Sequence, residues 1–87
     1  MHESSLIKDL IHKITTIARE QRARKVLSVT VMLGALSHIS PEHFHEHFVH
    51  ASHGTIAEGA RLNIEFTTDI TAPQSQNVLI KNIEVVD

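Results

Sequence analysis

The sequence contains no cysteine, tryptophan or tyrosine among its 87 residues. Without cysteine, the chain can form no disulfide, no thiolate nucleophile and no zinc or iron–sulfur site with thiolate ligands. Any transition-metal site must therefore be built without thiolate ligands.

Basic charge and long apolar runs are also scarce. Lysine and arginine number 8 against 10 aspartates and glutamates, and the formal charge of −2 gives no support to nucleic-acid binding. The longest apolar run, Val31 to Leu36, is far too short to span a membrane. The first residues lack the basic-then-apolar pattern of a signal peptide. We therefore expect a cytoplasmic, soluble protein that binds neither nucleic acid nor membrane.

The chain has only three glycines and two prolines, and 41% of its residues are hydrophobic, as in a folded domain rather than a disordered chain. Its length suits a single domain over residues 1–87. It contains no glycine-rich phosphate loop, no serine nucleophile motif and no carboxylate pair at an obvious catalytic spacing. We therefore expect that the protein is not an enzyme.

Two helices are predicted from the spacing of apolar residues and from helix-start signals. A stripe with a period of 3.6 residues predicts a helix over about residues 4–21. Ser40 followed by Pro41 is typical of a helix start, because serine can cap the helix and proline suits its first position. The second helix is therefore expected over about residues 41–53.

Three strands are predicted from alternating apolar residues rich in β-branched side chains. The first lies within residues 25–36, with residues 34–39 as its exit loop. The second covers about residues 60–67 and the third about residues 78–86.

The order of these elements predicts an α+β fold of two layers: helix-strand-helix-strand-strand, with two helices packed on one face of a three-stranded mixed sheet. A strand, a helix and a strand in succession imply a crossover that leaves the first two strands parallel. The loop before the last strand predicts that this strand pairs antiparallel with the second. The apolar residues of the last strand change from even to odd positions at Lys81 and Asn82, which predicts a β-bulge there.

The predicted core consists of the apolar residues that face inward from these helices and strands. They are Leu6, Leu10, Ile14, Ile17, Leu27, Val29, Val31, Phe44, Phe48, Leu62, Ile64, Phe66, Ile80 and Ile83.

Histidine is the residue in excess, with eight copies, and one of them stands in the opening tripeptide Met1-His2-Glu3. The Met1 amine, the backbone nitrogen of residue 2 and the His2 imidazole can close fused chelate rings around one ion in a plane. Ni(II) and Cu(II) favour this geometry. Glu3 can add an oxygen ligand or orient the imidazole. These three residues are the first candidate metal site.

Three further histidines on the second predicted helix form a secondary candidate. His43 and His47 are four residues apart, and His50 follows three residues later, so that neighbouring pairs can share a zinc, nickel or copper ion. The pattern is more typical of a polar helix face beside an apolar seam, and both interpretations stay open.

The other histidines have weaker claims. His53 follows His50 at a spacing of three, while His12 and His45 are expected in solvent. His38 lies in the exit loop of the first strand, from which it could approach the N-terminus.

Several short segments, spread along nearly the whole chain, match the sequence pattern of one known family. They are Met1-His2-Glu3 with Ser5-Leu6, Lys25-Val26 with Val29, Gly34-Ala35-Leu36-Ser37, Ser40-Pro41-Glu42, Phe48, GTIAEGARLNIE from Gly54 to Glu65, and LIKNIEV from Leu79 to Val85. Together they closely resemble the HypA family, nickel metallochaperones of hydrogenase maturation that some organisms also use for urease. The resemblance implies that the Met1 amine, His2 and Glu3 are nickel ligands or lie near the ion.

One departure from the family pattern is expected to matter. HypA proteins normally carry a zinc-binding module with two pairs of cysteines between their last two core strands. Here that place holds only residues 69–77, which are polar and are expected to form a short loop. The chain therefore resembles the nickel-binding domain with the zinc-binding module missing, and no zinc is expected.

These observations lead to a functional hypothesis and one competitor. The hypothesis is a nickel-binding accessory protein that holds Ni(II) at its N-terminus for delivery during maturation of hydrogenase or another nickel enzyme. By resemblance, its partners are a GTPase nickel chaperone, the apo-hydrogenase large subunit, or both, and homo-oligomerisation is left open. The alternative is a protein-interaction or scaffold module, derived from a HypA-like core, that no longer binds metal.

Overall fold

The computed structural model describes residues 3–34, 40–66 and 78–86, with side chains from residue 5 onward. Its elements are α1 (Glu3–Glu20), β1 (Lys25–Leu33), α2 (Pro41–Ser52), β2 (Arg61–Phe66) and β3 (Val78–Val86). Their order confirms the predicted α+β arrangement of two helices and a three-stranded mixed sheet. Most of the expected exit loop and the whole expected loop at 69–77 lie outside the described residues. Neither helix is long and apolar enough to cross a membrane.

The three strands lie in the order β2-β1-β3. β1 and β2 are parallel, as predicted, with Val29 opposite Leu62 and Val31 opposite Ile64. The predicted pairing of β3 with β2 is wrong, because β3 pairs antiparallel with β1. The physical reason is that β1 has the most fully buried residues and takes the centre, where both of its edges are hydrogen-bonded. The two strands with more exposed side chains become the edges.

The predicted bulge is present in the pairing of β1 with β3. Thr30 lies opposite Asn82 and Val31 opposite Ile80, which leaves Lys81 without a partner. This extra residue brings apolar residues on both sides of it to the same face of the sheet, because each strand residue otherwise alternates between faces.

A second bulge, on β1, was not predicted. Val26 lies opposite Val85 and Ser28 opposite Glu84, so Leu27 is the unpaired residue. Leu27 is consequently 49% exposed, while Val26 is fully buried. The prediction of Leu27 as a core residue is therefore wrong, and its neighbour occupies that place.

Both helices and the inner face of the sheet contribute to one core. Its buried members are Ile7, Leu10, Ile14, Ala18, Val26, Val29, Val31, Leu33, Phe44, Phe48 and Ala57. The buried stripe of α1 includes Ile7 and Ala18, whereas the predicted core residues Leu6 and Ile17 are only half-buried. Phe66, also predicted in the core, is 50% exposed because it ends an edge strand.

The β1 bulge can be tested with one substitution made at two positions of the strand. Leu33→Ala removes a fully buried side chain and should lower the free energy of unfolding by about 2–5 kcal/mol. Leu27→Ala removes a side chain that is already half in water and should cost about 1 kcal/mol or less. Urea denaturation monitored by circular dichroism measures both. Equal losses would place Leu27 in the core and contradict the bulge.

Candidate metal centre

The predicted N-terminal ligands belong to the start of α1. Met1, His2 and the side chain of Glu3 lie outside the described residues, while the backbone of Glu3 begins the helix. Four residues later, Ile7 is 2% exposed and belongs to the core. At 1.5 Å per residue, the helix start is about 6 Å along the axis from this anchor. Ligands attached there would stand on a helix whose orientation is set by the core.

The start of α2 is determined by its local sequence. The Ser40 hydroxyl accepts a hydrogen bond from the His43 backbone N–H at 3.5 Å, and Pro41 is the first helical residue. The Phe44 N–H donates to the Ser40 carbonyl at 2.9 Å, which closes the first turn. Glu42 places a negative charge at the positive end of the helix dipole.

The inner face of α2 then determines where its histidines lie. Phe44, Phe48 and Ser52 recur at a spacing of four and are buried. His43 and His47 are exposed, because they lie away from this seam. The helix therefore presents imidazoles to solvent along its sides, while two phenylalanines attach it to the core.

Two of the three candidate histidines face a groove between the helices. His47 and His50 line an opening of about 570 Å³, together with Ile7 and Lys8 of α1. His43 is not among the residues that line it. Within the described ranges, no three histidine, aspartate or glutamate side chains are arranged to hold one metal ion.

His53 has a different partner from the one that its spacing suggested. It follows the last residue of α2, and its Nδ1 atom contacts the Glu58 carboxylate in an ion pair when the imidazole is protonated. No sequence pattern predicts this pair, because Glu58 belongs to an irregular turn with no periodic signal. His12 and His45 are exposed, as expected, and His38 lies outside the described residues.

The turn after α2 connects this helix to the beginning of the central strand. Gly54 and Gly59 have φ angles of 80° and 79°, which a side chain would strain. Between them, the Thr55 hydroxyl donates to the Ser52 carbonyl at 2.7 Å. The Val26 N–H donates to the Ile56 carbonyl at 3.0 Å, so the chain leaving α2 lies beside the start of β1.

The connections at the start of β1 show in which direction the two helices run. A short turn over residues 21–24 joins the end of α1 to the start of β1, so both helices end near the start of that strand. Both helices therefore begin towards its far end and run in the same direction. A second cavity agrees with this direction for α1, because Leu6 and Leu10 line it together with Val78 of β3. Val78 lies opposite Leu33, the last residue of β1.

The sheet face opposite the helices has two polar contacts between strands. The Ser28 hydroxyl donates to Glu84 Oε1 at 2.5 Å between neighbouring strands. The Lys81 ammonium donates to Glu65 Oε1 at 2.8 Å, which joins the two edge strands across the central one. Only the register of β1 with both neighbours brings these side chains together, so no sequence spacing could have identified them.

The chain matches a family model described as HypA, hydrogenase/urease nickel incorporation, metallochaperone, over residues 1–72. It is 45% identical over 64 residues to the hydrogenase maturation factor HypA of Archaeoglobus fulgidus, which covers 74% of this chain and 58% of that protein. It is 42% identical over 65 residues to the factor of the same name from Methylocella silvestris, covering 75% and 58%. The chain thus spans less than two thirds of the length of these relatives.

A solved structure shares the fold. The solution structure of the Ni metallochaperone HypA from Helicobacter pylori superposes with a TM-score of 0.84, covering 99% of this chain and 98% of that one. The sequence identity is 17%, so this similarity establishes the architecture alone.

The capping of α2 can be tested through its stability contribution. Ser40→Ala removes the acceptor for the His43 N–H and should lower the free energy of unfolding by about 0.5–1 kcal/mol, at the lower end for a cap because the bond is long. Ser40→Asp keeps an acceptor at the same position and should cost little. Thermal unfolding of both variants gives the comparison. Equal destabilisation by alanine and aspartate would contradict the cap.

Proposed function

The chain belongs to the HypA family, and from this premise we propose that it is a nickel-binding accessory protein which holds Ni(II) at Met1, His2 and Glu3. The observation that carries the proposal is the family match from residue 1 to residue 72, because this range contains the tripeptide with the chelating chemistry. The family is one of metallochaperones and maturation factors, and the protein is not an enzyme.

The proposed ligands suit a protein that must release its cargo. An amine, a backbone nitrogen and an imidazole at a chain end can be replaced one at a time by a recipient. The start of α1 is held to the core through Ile7, so the ion would be presented at a defined place beside the start of that helix. Protonation of the imidazole would further promote release.

The proposed recipients are a GTPase nickel chaperone, an apo-hydrogenase large subunit, or both, in the cytoplasm. The family description, hydrogenase/urease nickel incorporation, supports a nickel enzyme as the destination. The GTPase, the large subunit and the compartment follow from the resemblance to the HypA family alone. No cysteine is present between β2 and β3, so we propose a single domain that works without a zinc module at that place.

A second candidate function is supported by the surface. Leu27, Val49, Phe66 and Leu79 are each between 39% and 52% exposed. Exposed large apolar side chains are common at protein interfaces, although single ones are also normal on any surface. A HypA-like core that serves only as an interaction or scaffold module would use these residues and would bind no nickel.

A nickel titration distinguishes the two functions. Untagged protein with a free Met1 amine, verified by mass spectrometry, should bind one equivalent of Ni(II) in a planar, nitrogen-rich site. His2→Ala should weaken this binding by more than about a hundredfold, and Glu3→Ala by about 10–100-fold, as for a group that orients a ligand. Isothermal titration calorimetry measures the affinities, and absorption spectra report the geometry.

Acetylation of the Met1 amine provides the matching chemical control, because it removes a ligand without changing any side chain. It should abolish the planar site as effectively as His2→Ala. An octahedral spectrum insensitive to both changes would contradict the N-terminal assignment. Absence of any nickel binding would favour the scaffold function.

The affinity of the same site should depend on pH. A metal-bound imidazole and a metal-bound amine must both be free of their protons, so protons compete with nickel as the pH falls. Affinity should therefore decrease by more than about tenfold between pH 7 and pH 5. Competition titrations against a colorimetric chelator at each pH measure this. A flat profile would require ligands other than the imidazole and the amine.

A further inference from the structure

The groove between α1 and α2 contains two imidazoles that the N-terminal site does not use. His47 and His50 lie three residues apart on the same side of α2, where neighbouring side chains have Cβ atoms about 5–6 Å apart. Both are exposed. The remaining residues of the groove are Ile7 and Lys8 of α1 with Glu46 and Ala51 of α2.

The backbone under these two histidines is rigid for a physical reason. Phe44 and Phe48 fix α2 to the core with exposures of 0% and 1%, and Ile7 provides a buried wall on the α1 side. Because the helix is already held by the core, only the side-chain rotamers of the two imidazoles must be ordered when they share an ion, which favours chelation.

The chemistry of the groove selects the class of ligand. Imidazole nitrogens suit nickel, copper and zinc rather than magnesium or calcium. The carboxylate of Glu46 beside the pair favours a cation, whereas the Lys8 ammonium on the other wall opposes one. Because the described residues hold no arrangement of three ligands, water must complete the coordination shell, and the site should be weak and exchangeable.

The neighbouring histidines are excluded from this pair by their positions. His53 lies beyond the helix and contacts Glu58, and His43 does not line the groove. His45 has no imidazole three or four residues away on either side. Among the described histidines, His47 and His50 are therefore the two that both line the groove.

We propose that His47 and His50 form a second, weaker binding site for a late first-row divalent metal ion, coordinated by two imidazoles and water. This site is independent of the N-terminal ligands. It would give the protein a place where an ion can bind beside α1 without occupying the tight site.

The test is a Ni(II) titration of the full chain, followed by calorimetry and by NMR spectra of the histidine side chains. Wild-type protein should bind a second equivalent of nickel at least tenfold more weakly than the first. Nickel with two imidazoles and water is octahedral and paramagnetic, so it should broaden the His47 and His50 signals. A planar, nitrogen-bound nickel ion is diamagnetic and should not.

Two double variants make the comparison specific. His47→Ala with His50→Ala should remove the second equivalent and leave the first. His12→Ala with His45→Ala removes the same number of exposed imidazoles and should leave both equivalents. All four positions are exposed, so the variants should unfold at the wild-type temperature, which circular dichroism verifies.

The outcomes separate this proposal from the N-terminal assignment. In His2→Ala the second equivalent should persist, with its paramagnetic broadening, even though the first is lost. The proposal is overturned if wild-type protein binds no second equivalent, if the His47 and His50 double variant retains it, or if both double variants lose it equally. It is also overturned if His2→Ala removes both equivalents, because the two groups would then form one site.

Discussion

The structure depends on the central position of β1. This strand is hydrogen-bonded on both edges, and its inner face is buried beneath two helices, with Val26, Val29, Val31 and Leu33 all fully buried. One unpaired residue on each partner, Leu27 on β1 and Lys81 on β3, keeps the apolar faces of the two antiparallel strands aligned. If only one of the two bulges were lost, part of one strand would shift by one residue against the other. The apolar side chains of that part would then face water.

This arrangement also separates the core from the chemistry. No ionisable side chain is buried among the described residues, whereas the histidines of α2 are exposed on the sides of that helix. Metal could therefore bind and leave without a large change in the packing that holds the fold. A protein proposed to hand its cargo to a recipient requires this separation, since release would otherwise be coupled to unfolding.

The shared direction of the helices has a second consequence for the proposed function. Both helices begin towards the same end of β1, and the early part of α1 faces His47 and His50 across the groove. The proposed tight ligands and the proposed weak pair would then occupy one side of the molecule. The opposite sheet face, which carries the Ser28–Glu84 and Lys81–Glu65 contacts, would take no part in either proposed site.

Local pattern was sufficient for the type and approximate bounds of all five elements, and for the bulge at Lys81, because periodicity and capping are properties of short segments. Local pattern also provided the candidate ligands, the opening tripeptide Met1-His2-Glu3 and the histidines of α2, because the proposed chemistry depends on residue types at short spacing. Strand order could not be obtained in this way, since pairing of β3 with β1 rather than β2 depends on which strand is best buried. Tertiary structure likewise decided three further features: the exposure of Leu27, the contact of His53 with Glu58, and the position of His47 and His50 beside the groove. Each depends on residues distant in sequence or in irregular turns, whose contacts are formed only when the helices and the sheet share one core.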